Sequence, residues 1–210
     1  MAWLSEKGIP VGNWYDKYNT KHPVERYFVR HYLRAIDEFL EHIQNDVNSI
    51  TDVGCGEGFL TNHICAMNIA ETINGFDFSH RVIDIARRHT ANPSIHFYTK
   101  DIYEIDQKEK ADLIVCCEVL EHLRYPEEAL DKIRQATNKY CLLSVPREPI
   151  WRLMNLCRGK YVVTLGNSPG HINHWSCRAF VKLVRNYFDI LRVKKVLPWT
   201  MLICRKQTRY

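Results

Sequence analysis

The sequence predicts an α/β fold built on a doubly wound, mostly parallel sheet of seven strands. Short runs rich in β-branched and aromatic residues alternate with amphipathic helical patterns along most of the chain. Strands that alternate with helices favour right-handed βαβ units and a parallel sheet. A glycine-rich turn follows the first strong strand pattern, at the place where open α/β sheets bind their ligands.

The individual elements follow from the same periodicities. Apolar residues at helical spacing between Val24 and Ile43 predict an amphipathic helix ahead of the first strand. The predicted strands of the parallel part are 49–53, 72–78, 94–98, 112–117 and 140–145, and the predicted helices between them are 59–68, 80–89 and 126–137. A helix at 176–187 and an antiparallel pair of strands near 190–196 and 201–204 are expected to end the fold.

The length of 210 residues predicts one domain, which spans residues 1–210. Residues 1–45 are expected to form an amino-terminal helical cap, and residues 146–175 an insertion after the fifth strand. Prolines and glycines punctuate this insertion, and its apolar residues from Trp151 to Tyr161 predict a short helix. These apolar residues fit either a satellite core cluster or a lid over a substrate.

The composition is that of an ordinary globular protein, with 46% hydrophobic and 25% charged residues. The amino end lacks the pattern of a secretory signal, and no apolar run approaches the ~20 residues that span a bilayer, so we expect a cytoplasmic protein without a membrane segment. The eight cysteines include no Cys-x-x-Cys pair, which favours reduced core residues. The net charge of +5 fits a solvated basic face or an anionic partner.

The segment Asp52-Val-Gly-Cys-Gly-Glu-Gly58 is an acidic, glycine-rich turn between a predicted strand and a predicted helix. Gly54, Gly56 and Gly58 permit dihedral angles that other residues avoid and let backbone N–H groups approach a ligand closely. A carboxylate at Asp52 would repel a pyrophosphate but suits a cationic aminoacyl group. The turn therefore predicts a site for a cationic ligand.

Two further carboxylates are predicted to end neighbouring strands. Asp77 ends the second strand, where it can accept hydrogen bonds from both hydroxyls of a ribose, and Asp101 follows the third, near the place of an adenine amino group. Because parallel strands end at one edge of a sheet, these side chains and the glycine turn are expected to surround one ligand.

From about Tyr15 to Phe188 the sequence resembles the class I, Rossmann-like S-adenosylmethionine-dependent methyltransferases, with similarity to ubiquinone-type O-methyltransferases. The resemblance implies that S-adenosylmethionine is the cofactor and that the end of the fourth strand reaches the transferred methyl group. Tyr15 and Tyr18 resemble residues that close over the cofactor. The cofactor-binding residues implied are Tyr15, Tyr18, Asp52, Gly54, Cys55, Gly56, Gly58, Asp77, Phe78, Ser79, Lys100, Asp101, Ile102, Cys117 and Glu118.

The run Glu118-Val-Leu-Glu121-His122 follows the fourth strand. If a helix begins there, Glu118, Glu121 and His122 share one face, and the later run Gly170-His-Ile-Asn-His-Trp175 could add His171 or His174. Such a set suits a divalent metal ion that would hold and acidify a substrate hydroxyl. The alternative is a metal-free site in which His122 or His171 is a general base, with Glu118 beside it.

The leading functional hypothesis is methyl transfer to an oxygen or nitrogen of a small-molecule metabolite. Two alternatives stay open. One is a metal-assisted RNA 2′-O-methyltransferase, because the Glu-x-x-Glu-His run at 118–122 resembles that of enzymes that methylate the terminal 2′-hydroxyl of small RNAs, and because the net charge is positive. The other is a non-catalytic partner protein that keeps the cofactor fold. Neither the methyl acceptor nor the oligomeric state follows from the sequence.

Overall fold

A computed structural model describes residues 5–6, 9–10, 21–90 and 92–207 of the chain. Its β-strands are β1 (Ser5–Glu6), β2 (Ile9–Pro10), β3 (Ser49–Val53), β4 (Thr72–Asp77), β5 (Ile95–Thr99), β6 (Ala111–Cys117), β7 (Thr137–Pro146), β8 (Phe188–Lys194) and β9 (Trp199–Lys206). Its α-helices are α1 (Pro23–Leu40), α2 (Phe59–Ala66), α3 (His80–His89), α4 (Pro126–Ala136), α5 (Ile150–Cys157) and α6 (Cys177–Val184).

Seven strands form one sheet in the order β5-β4-β3-β6-β7-β9-β8, and β1 pairs with β2 in a separate antiparallel ribbon. Strands β3 to β7 run parallel, whereas β9 is antiparallel to both of its neighbours. The predicted doubly wound, mostly parallel seven-stranded sheet is therefore confirmed. The predicted antiparallel pair at the end of the chain is β8 and β9.

Two apolar layers cover the sheet. Residues of α1, α2 and α3 pack on one face, where Phe39 and Ile64 are fully buried. Residues of α4 and α6 pack on the other, where Ile133 and Phe180 are fully buried. A sheet covered on both faces leaves its strand ends as the accessible edge, and the loops at that edge carry the polar residues singled out above.

The predicted helix at 126–137 is observed as α4, and no helix begins directly after the fourth strand of the parallel sheet, so the condition set for a shared face of Glu118, Glu121 and His122 is not met. Glu118 has a left-handed backbone with φ of 61°, and a short 3₁₀ turn at Leu120–His122 follows it. Helix α4 begins only at Pro126, which occupies its first turn. A proline at N1 fixes a helix start and disfavours helical geometry in the residue before it, so no α-helix runs through 118–125.

The predicted insertion helix is observed as α5, and a 3₁₀ turn at Val162–Thr164 follows it before the chain reaches α6. Leu153 and Leu156 on α5 are exposed, whereas Trp151 on the same helix packs against the core. The role of this segment as a satellite cluster or as a lid stays a prediction. No helix in the described part of the chain is both long and apolar enough to cross a membrane.

Candidate active site

The strand order reverses between β3 and β6, because the chain proceeds from β3 outward to β5 and then returns to place β6 on the other side of β3. At such a point the loops after adjacent strands diverge and leave a crevice. Gly54 follows β3, Asp77 ends β4, Asp101 follows β5 and Glu118 follows β6. The topology thus brings the predicted cofactor residues to one edge of the sheet.

The glycine turn is tied to the end of β4. The N–H groups of Gly54 and Cys55 donate to the carbonyl oxygen of Phe76 at 2.8 and 2.9 Å. The N–H of Gly56 donates to Oδ2 of Asp77 at 3.2 Å. The expectation that these N–H groups point at a ligand is therefore revised, since each has an acceptor within the protein. These hydrogen bonds fix the shape of the glycine turn, and the turn forms one side of the crevice.

Gly56 is the glycine of this turn that leaves room for a ligand. Its φ is 55°, and a Cβ built on it would have no atom within 4 Å. A Cβ on Gly54, by contrast, would come 2.5 Å from a methyl group of Val119, and one on Gly58 would come 2.7 Å from the ring of Phe97. Gly54 and Gly58 therefore allow close packing, whereas Gly56 borders open space.

We expect Gly56→Ala to weaken S-adenosylmethionine binding at least about tenfold, because the new methyl group enters the space of the ligand. Gly159 provides the control, since it has a similar φ of 66° and also no atom within 4 Å of a built Cβ. Both variants should lose about 1–2 kcal/mol of unfolding free energy from the strained φ. Calorimetric titration of both variants measures cofactor affinity, and thermal unfolding measures the loss of stability. Equal cofactor affinity in the two variants would contradict the placement of Gly56 beside the cofactor.

Asp52 lies behind the turn. The residue is 2% exposed, and one of its carboxylate oxygens accepts the hydroxyl proton of Thr61 at 2.6 Å, which ties α2 to β3. Burial, opposed by the Thr61 hydrogen bond and reinforced by the nearby charge of Asp77, raises the pKa of Asp52 to about 7. The contact of Asp52 with a cationic aminoacyl group stays a prediction. The contact that is observed, with Thr61, holds two elements of the fold together.

Asp77 connects the turn with the next helix. Its Oδ1 accepts the N–H of Ser79 at 3.0 Å, while Oδ2 accepts the N–H of Gly56. Ser79 is buried and caps α3 by accepting the N–H of Val82. Ser79 therefore serves the helix start, and Phe78, half-buried between the two, follows directly on the strand end. These contacts fix the carboxylate of Asp77 at the rim of the crevice.

The residues after β5 divide into rim and core. The carboxylate of Asp101 accepts the N–H of Tyr103, so Asp101 begins the 3₁₀ turn at Ile102–Glu104. Ile102 is buried among apolar side chains. The ammonium of Lys100 forms an ion pair with the buried carboxylate of Glu109 at 2.6 Å, which occupies its charge within the fold. The part of Lys100 that lies at the strand ends is its backbone, whose N–H donates to the backbone carbonyl oxygen of Asp77.

The thiols near the site are not nucleophiles. Burial raises the pKa of Cys117 to about 12, and burial also raises the pKa of Cys55 well above its usual value. A thiol in this state is protonated at neutral pH, and the thiolate is the reactive form. Both residues therefore contribute shape and backbone, in agreement with a methyl transfer that needs no covalent intermediate.

Glu118 is held by side chains from two other strands. Its carboxylate accepts the indole N–H of Trp199 on β9 at 2.6 Å and the hydroxyl of Ser144 on β7 at 3.3 Å. Ser144 in turn shares a 2.8 Å hydrogen bond with the hydroxyl of Tyr32 on α1. Glu118 thus turns toward β7 and β9, and because no helix begins at this point, it does not share a helical face with Glu121 and His122.

Glu121, His122 and His171 form a separate cluster, with one potential ligand atom of each within 4.8 Å of the others. Glu121 is 1% exposed, and the rings of His122 and His171 meet edge to face at 4.8 Å between centroids. Nδ1 of His122 lies 3.0 Å from the carbonyl oxygen of Gly170. Because a carbonyl only accepts, Nδ1 carries the proton and the lone pair of the neutral ring is on Nε2.

The segment that carries His171 is clamped to the turn after β6. The N–H groups of Ile172 and Asn173 both donate to the carbonyl oxygen of Glu121, and the side-chain amide of Asn173 donates to the carbonyls of Leu120 and Leu123. His174 instead lies 3.5 Å from the carboxylate of Glu148, outside the cluster. The histidine that joins Glu121 and His122 is therefore His171.

A row of aromatic rings leads from α1 to this cluster, with successive centroids 4.7, 6.2, 5.7 and 4.8 Å apart. The row consists of Tyr32, Trp199, Trp151, His171 and His122. It runs from β9 across α5 to the 3₁₀ turn and gives the cluster an aromatic flank. Sequence reasoning assigned no functional role to Tyr32, Ser144, Asn173 or Trp199. Tyr15 and Tyr18 lie outside the described residues.

The comparisons with known proteins agree with this geometry. A family model described as "methyltransferase domain" matches residues 24–190. The chain belongs to this methyltransferase family. The family resemblance seen in its sequence is thereby confirmed.

Among curated relatives, a mitochondrial ubiquinone biosynthesis O-methyltransferase of Candida albicans is 29% identical over 96 residues, which cover 43% of this chain and 29% of the relative. A malonyl-[acyl-carrier protein] O-methyltransferase of Halalkalibacterium halodurans is 25% identical over 122 residues, covering 56% of this chain and 45% of the relative. The matched region thus spans less than half the length of either relative.

Two solved structures illustrate the shared fold. Magnesium protoporphyrin IX methyltransferase from Synechocystis PCC 6803 with bound SAH superposes with a TM-score of 0.67 at 17% identity, covering 91% of this chain and 94% of that one. The N-methyltransferase NodS from Bradyrhizobium japonicum WM9 gives a TM-score of 0.65 at 16% identity, covering 86% and 97%. At these identities the similarity shows the fold of the methyltransferase.

Proposed function

We propose that this methyltransferase transfers the methyl group to a hydroxyl oxygen of a small molecule, and that a divalent metal ion held by Glu121, His122 and His171 assists it. The observation that carries the proposal is the convergence of one carboxylate and two imidazoles beside the end of β6. Three protein ligands leave coordination positions for a substrate, as in catalytic rather than structural metal sites.

The surroundings of the cluster fit a metal. The hydrogen bond from Nδ1 of His122 to the carbonyl of Gly170 fixes the tautomer that presents Nε2, which is the usual arrangement around metal-binding histidines. Glu121 is held through its backbone carbonyl by the N–H groups of Ile172 and Asn173. Ligand bonds of about 2.1 Å put neighbouring ligand atoms about 3.0–3.4 Å apart, so ligand atoms that now spread over as much as 4.8 Å would have to close by roughly 1.5 Å when a metal binds.

A bound divalent ion would supply a positive charge that holds a hydroxyl and lowers its pKa. The protein would do the rest by positioning. Trp151 and His171 would flank the acceptor, and Glu118, held by Trp199 and Ser144, would fix the end of β6 next to the cofactor. Such an in-line transfer depends on alignment of the reactants rather than on a covalent nucleophile.

Oxygen as the acceptor atom is supported by the chemistry of the cluster and by the relatives named O-methyltransferases. Hard divalent ions typically bind a substrate oxygen and lower the pKa of its hydroxyl, whereas a neutral amine needs only an unprotonated lone pair to accept the methyl group. The aromatic row beside the cluster suits a flat acceptor, since rings stack in offset or edge-to-face geometry.

Methyl transfer from labelled S-adenosylmethionine to matched phenol and aniline acceptors tests the proposal. Metal-stripped protein should methylate the phenols slowly, and added Mn²⁺ or Mg²⁺ should restore the rate at least about tenfold. Preference for the anilines, or full activity with phenols in the presence of a chelator, would contradict the metal-assisted transfer to oxygen. Methylation confined to the 2′-hydroxyl of added RNA would favour the nucleic-acid alternative instead.

A further inference from the structure

The loop that carries Asp101 is closed by a buried carboxylate. Glu109 is 2% exposed, and its Oε2 accepts from the ammonium of Lys100 at 2.6 Å and from the N–H of Asp106 at 2.9 Å. Lys100 directly precedes the loop 101–105, and Asp106 directly follows it. One oxygen atom therefore holds both ends of the loop. We call Lys100, Asp106 and Glu109 the clasp.

Two further hydrogen bonds extend the clasp. The ammonium of Lys100 also reaches Oδ2 of Asp106 at 3.1 Å, and the hydroxyl of Tyr98 donates to Oε1 of Glu109 at 3.2 Å. Tyr98 lies on β5, and its ring stacks on the ring of Phe76 on β4. The clasp is thus joined to two strands that end at the edge of the sheet where the site lies.

The middle of the loop is held by other contacts. Oδ1 of Asp101 accepts the N–H of Tyr103 at 3.1 Å, which restrains the carboxylate and lets Oδ2 accept from a ligand. Ile102 and Ile105 are buried in the apolar core. The hydroxyl of Tyr103 accepts the N–H of Tyr125, ahead of α4. These contacts anchor the middle of the loop and the clasp anchors its ends, so the place of the Asp101 carboxylate depends on both.

The clasp is suited to positioning more than to stability. Desolvation offsets much of the attraction in a buried ion pair, and apolar residues of similar volume often give equal stability. What such a pair fixes is geometry, because a charge-assisted hydrogen bond is short and directional. The side chain of Lys100 is 16% exposed and is paired with Glu109, so its charge holds the loop rather than the cofactor.

We propose that Lys100 and Glu109 are positioning residues for the recognition of adenine, because the clasp sets the place of Asp101. The contact between Asp101 and the adenine amino group is the assumption on which this role rests. A carboxylate only accepts hydrogen bonds, so it favours adenine, whose amino group donates, over hypoxanthine, whose oxo group at the same position accepts. The clasp would therefore govern the selectivity for the base of the cofactor.

Calorimetric titration with SAH and with its hypoxanthine analogue, S-inosylhomocysteine, tests this role. The unchanged protein should bind SAH at least about tenfold more tightly than the analogue. The double variant Lys100→Met/Glu109→Gln removes both charges together, so no charge of the pair is left buried without its partner, and the amide oxygen of the glutamine can still accept from Asp106. We expect this variant to unfold within a few degrees of the unchanged protein and to prefer SAH less than about threefold.

Glu104→Gln is the matched control, because Glu104 is exposed in the same loop and loses the same charge. This variant should keep the full preference. Glu109→Gln alone leaves the ion pair between Lys100 and Asp106 and should lower the preference less than the double variant does, so it provides the same test if the double variant unfolds. Asp101→Asn should abolish the preference, since an amide can also donate to the oxo group.

Full preference for SAH in the double variant would overturn the positioning role, and so would an equal loss of affinity for both ligands, which is the result of a merely structural role. Unfolding of both clasp variants, or the same loss of preference in Glu104→Gln, would overturn it as well. A preference absent from the unchanged protein or kept by Asp101→Asn would remove the adenine contact and the proposal with it. The titrations need neither metal nor acceptor, so failure of metal-assisted methylation would leave them untouched.

Discussion

Replacing Asp77 with Ala is expected to weaken the binding of S-adenosylmethionine about a hundredfold or more while the fold is retained. The resemblance assigns Asp77 to the two ribose hydroxyls, and hydrogen bonds to a charged group contribute about 1.5–3 kcal/mol each. Two such bonds correspond to at least a hundredfold in affinity. Asp77 also accepts the N–H of Gly56, so its loss loosens the turn that shapes the crevice. Calorimetric titration measures the change directly.

Asp84→Ala is the matched control for this substitution. Asp84 lies on α3, the helix that follows Asp77, and its exposed carboxylate pairs only loosely with Arg87, at 3.5 Å. Its removal should leave cofactor affinity unchanged, because exposed ion pairs contribute little. Asp77→Asn keeps an acceptor oxygen and should fall between the two. Unchanged affinity in Asp77→Ala would contradict the ribose assignment.

Replacing His122 or His171 with Ala is expected to lower Mn²⁺ affinity at least about a hundredfold and to reduce metal-stimulated methylation in parallel. Each histidine supplies one of three ligand atoms in the cluster, and no described residue besides Glu121 shares that position with them. Loss of one ligand leaves too few protein ligands for tight binding. Electron paramagnetic resonance of free Mn²⁺ measures the affinity without any knowledge of the acceptor.

His174→Ala separates the metal effect from a general loss of structure. His174 is three residues from His171 in the same clamp, but its ring faces Glu148 rather than the cluster. The variant should bind Mn²⁺ as the unchanged protein does. If His174→Ala lost Mn²⁺ binding to the same extent as His171→Ala, the ligand set proposed here would be wrong.

The features that sequence reasoning predicted well are local ones. Each parallel strand is a short apolar run, and the residue that follows it in sequence also follows it in space. Gly54, Asp77 and Asp101 therefore reach one edge of the sheet without any long-range information. The antiparallel pairing of the last two strands, β8 and β9, was predicted as well.

The features that it missed depend on distant partners. Glu118 turns away from Glu121 because Trp199, 81 residues later, donates to it. The sequence around Glu118 contains no sign of that bond, although Pro126 did indicate that the helix begins later. The choice of His171 over His174 likewise depends on Asn173, whose amide bonds the turn some 50 residues earlier.

The central claim is that the cofactor crevice and the metal cluster serve one reaction, and paramagnetic broadening tests it most directly. Mn²⁺ bound at Glu121, His122 and His171 should strongly broaden the S-methyl proton signal of S-adenosylmethionine in exchange with the protein, because the cluster includes residues that directly follow β6, one of the strands whose ends carry the proposed cofactor residues. His171→Ala should abolish the effect, and His174→Ala should not. A methyl signal unaffected by Mn²⁺, or broadened equally in His171→Ala, would contradict the claim.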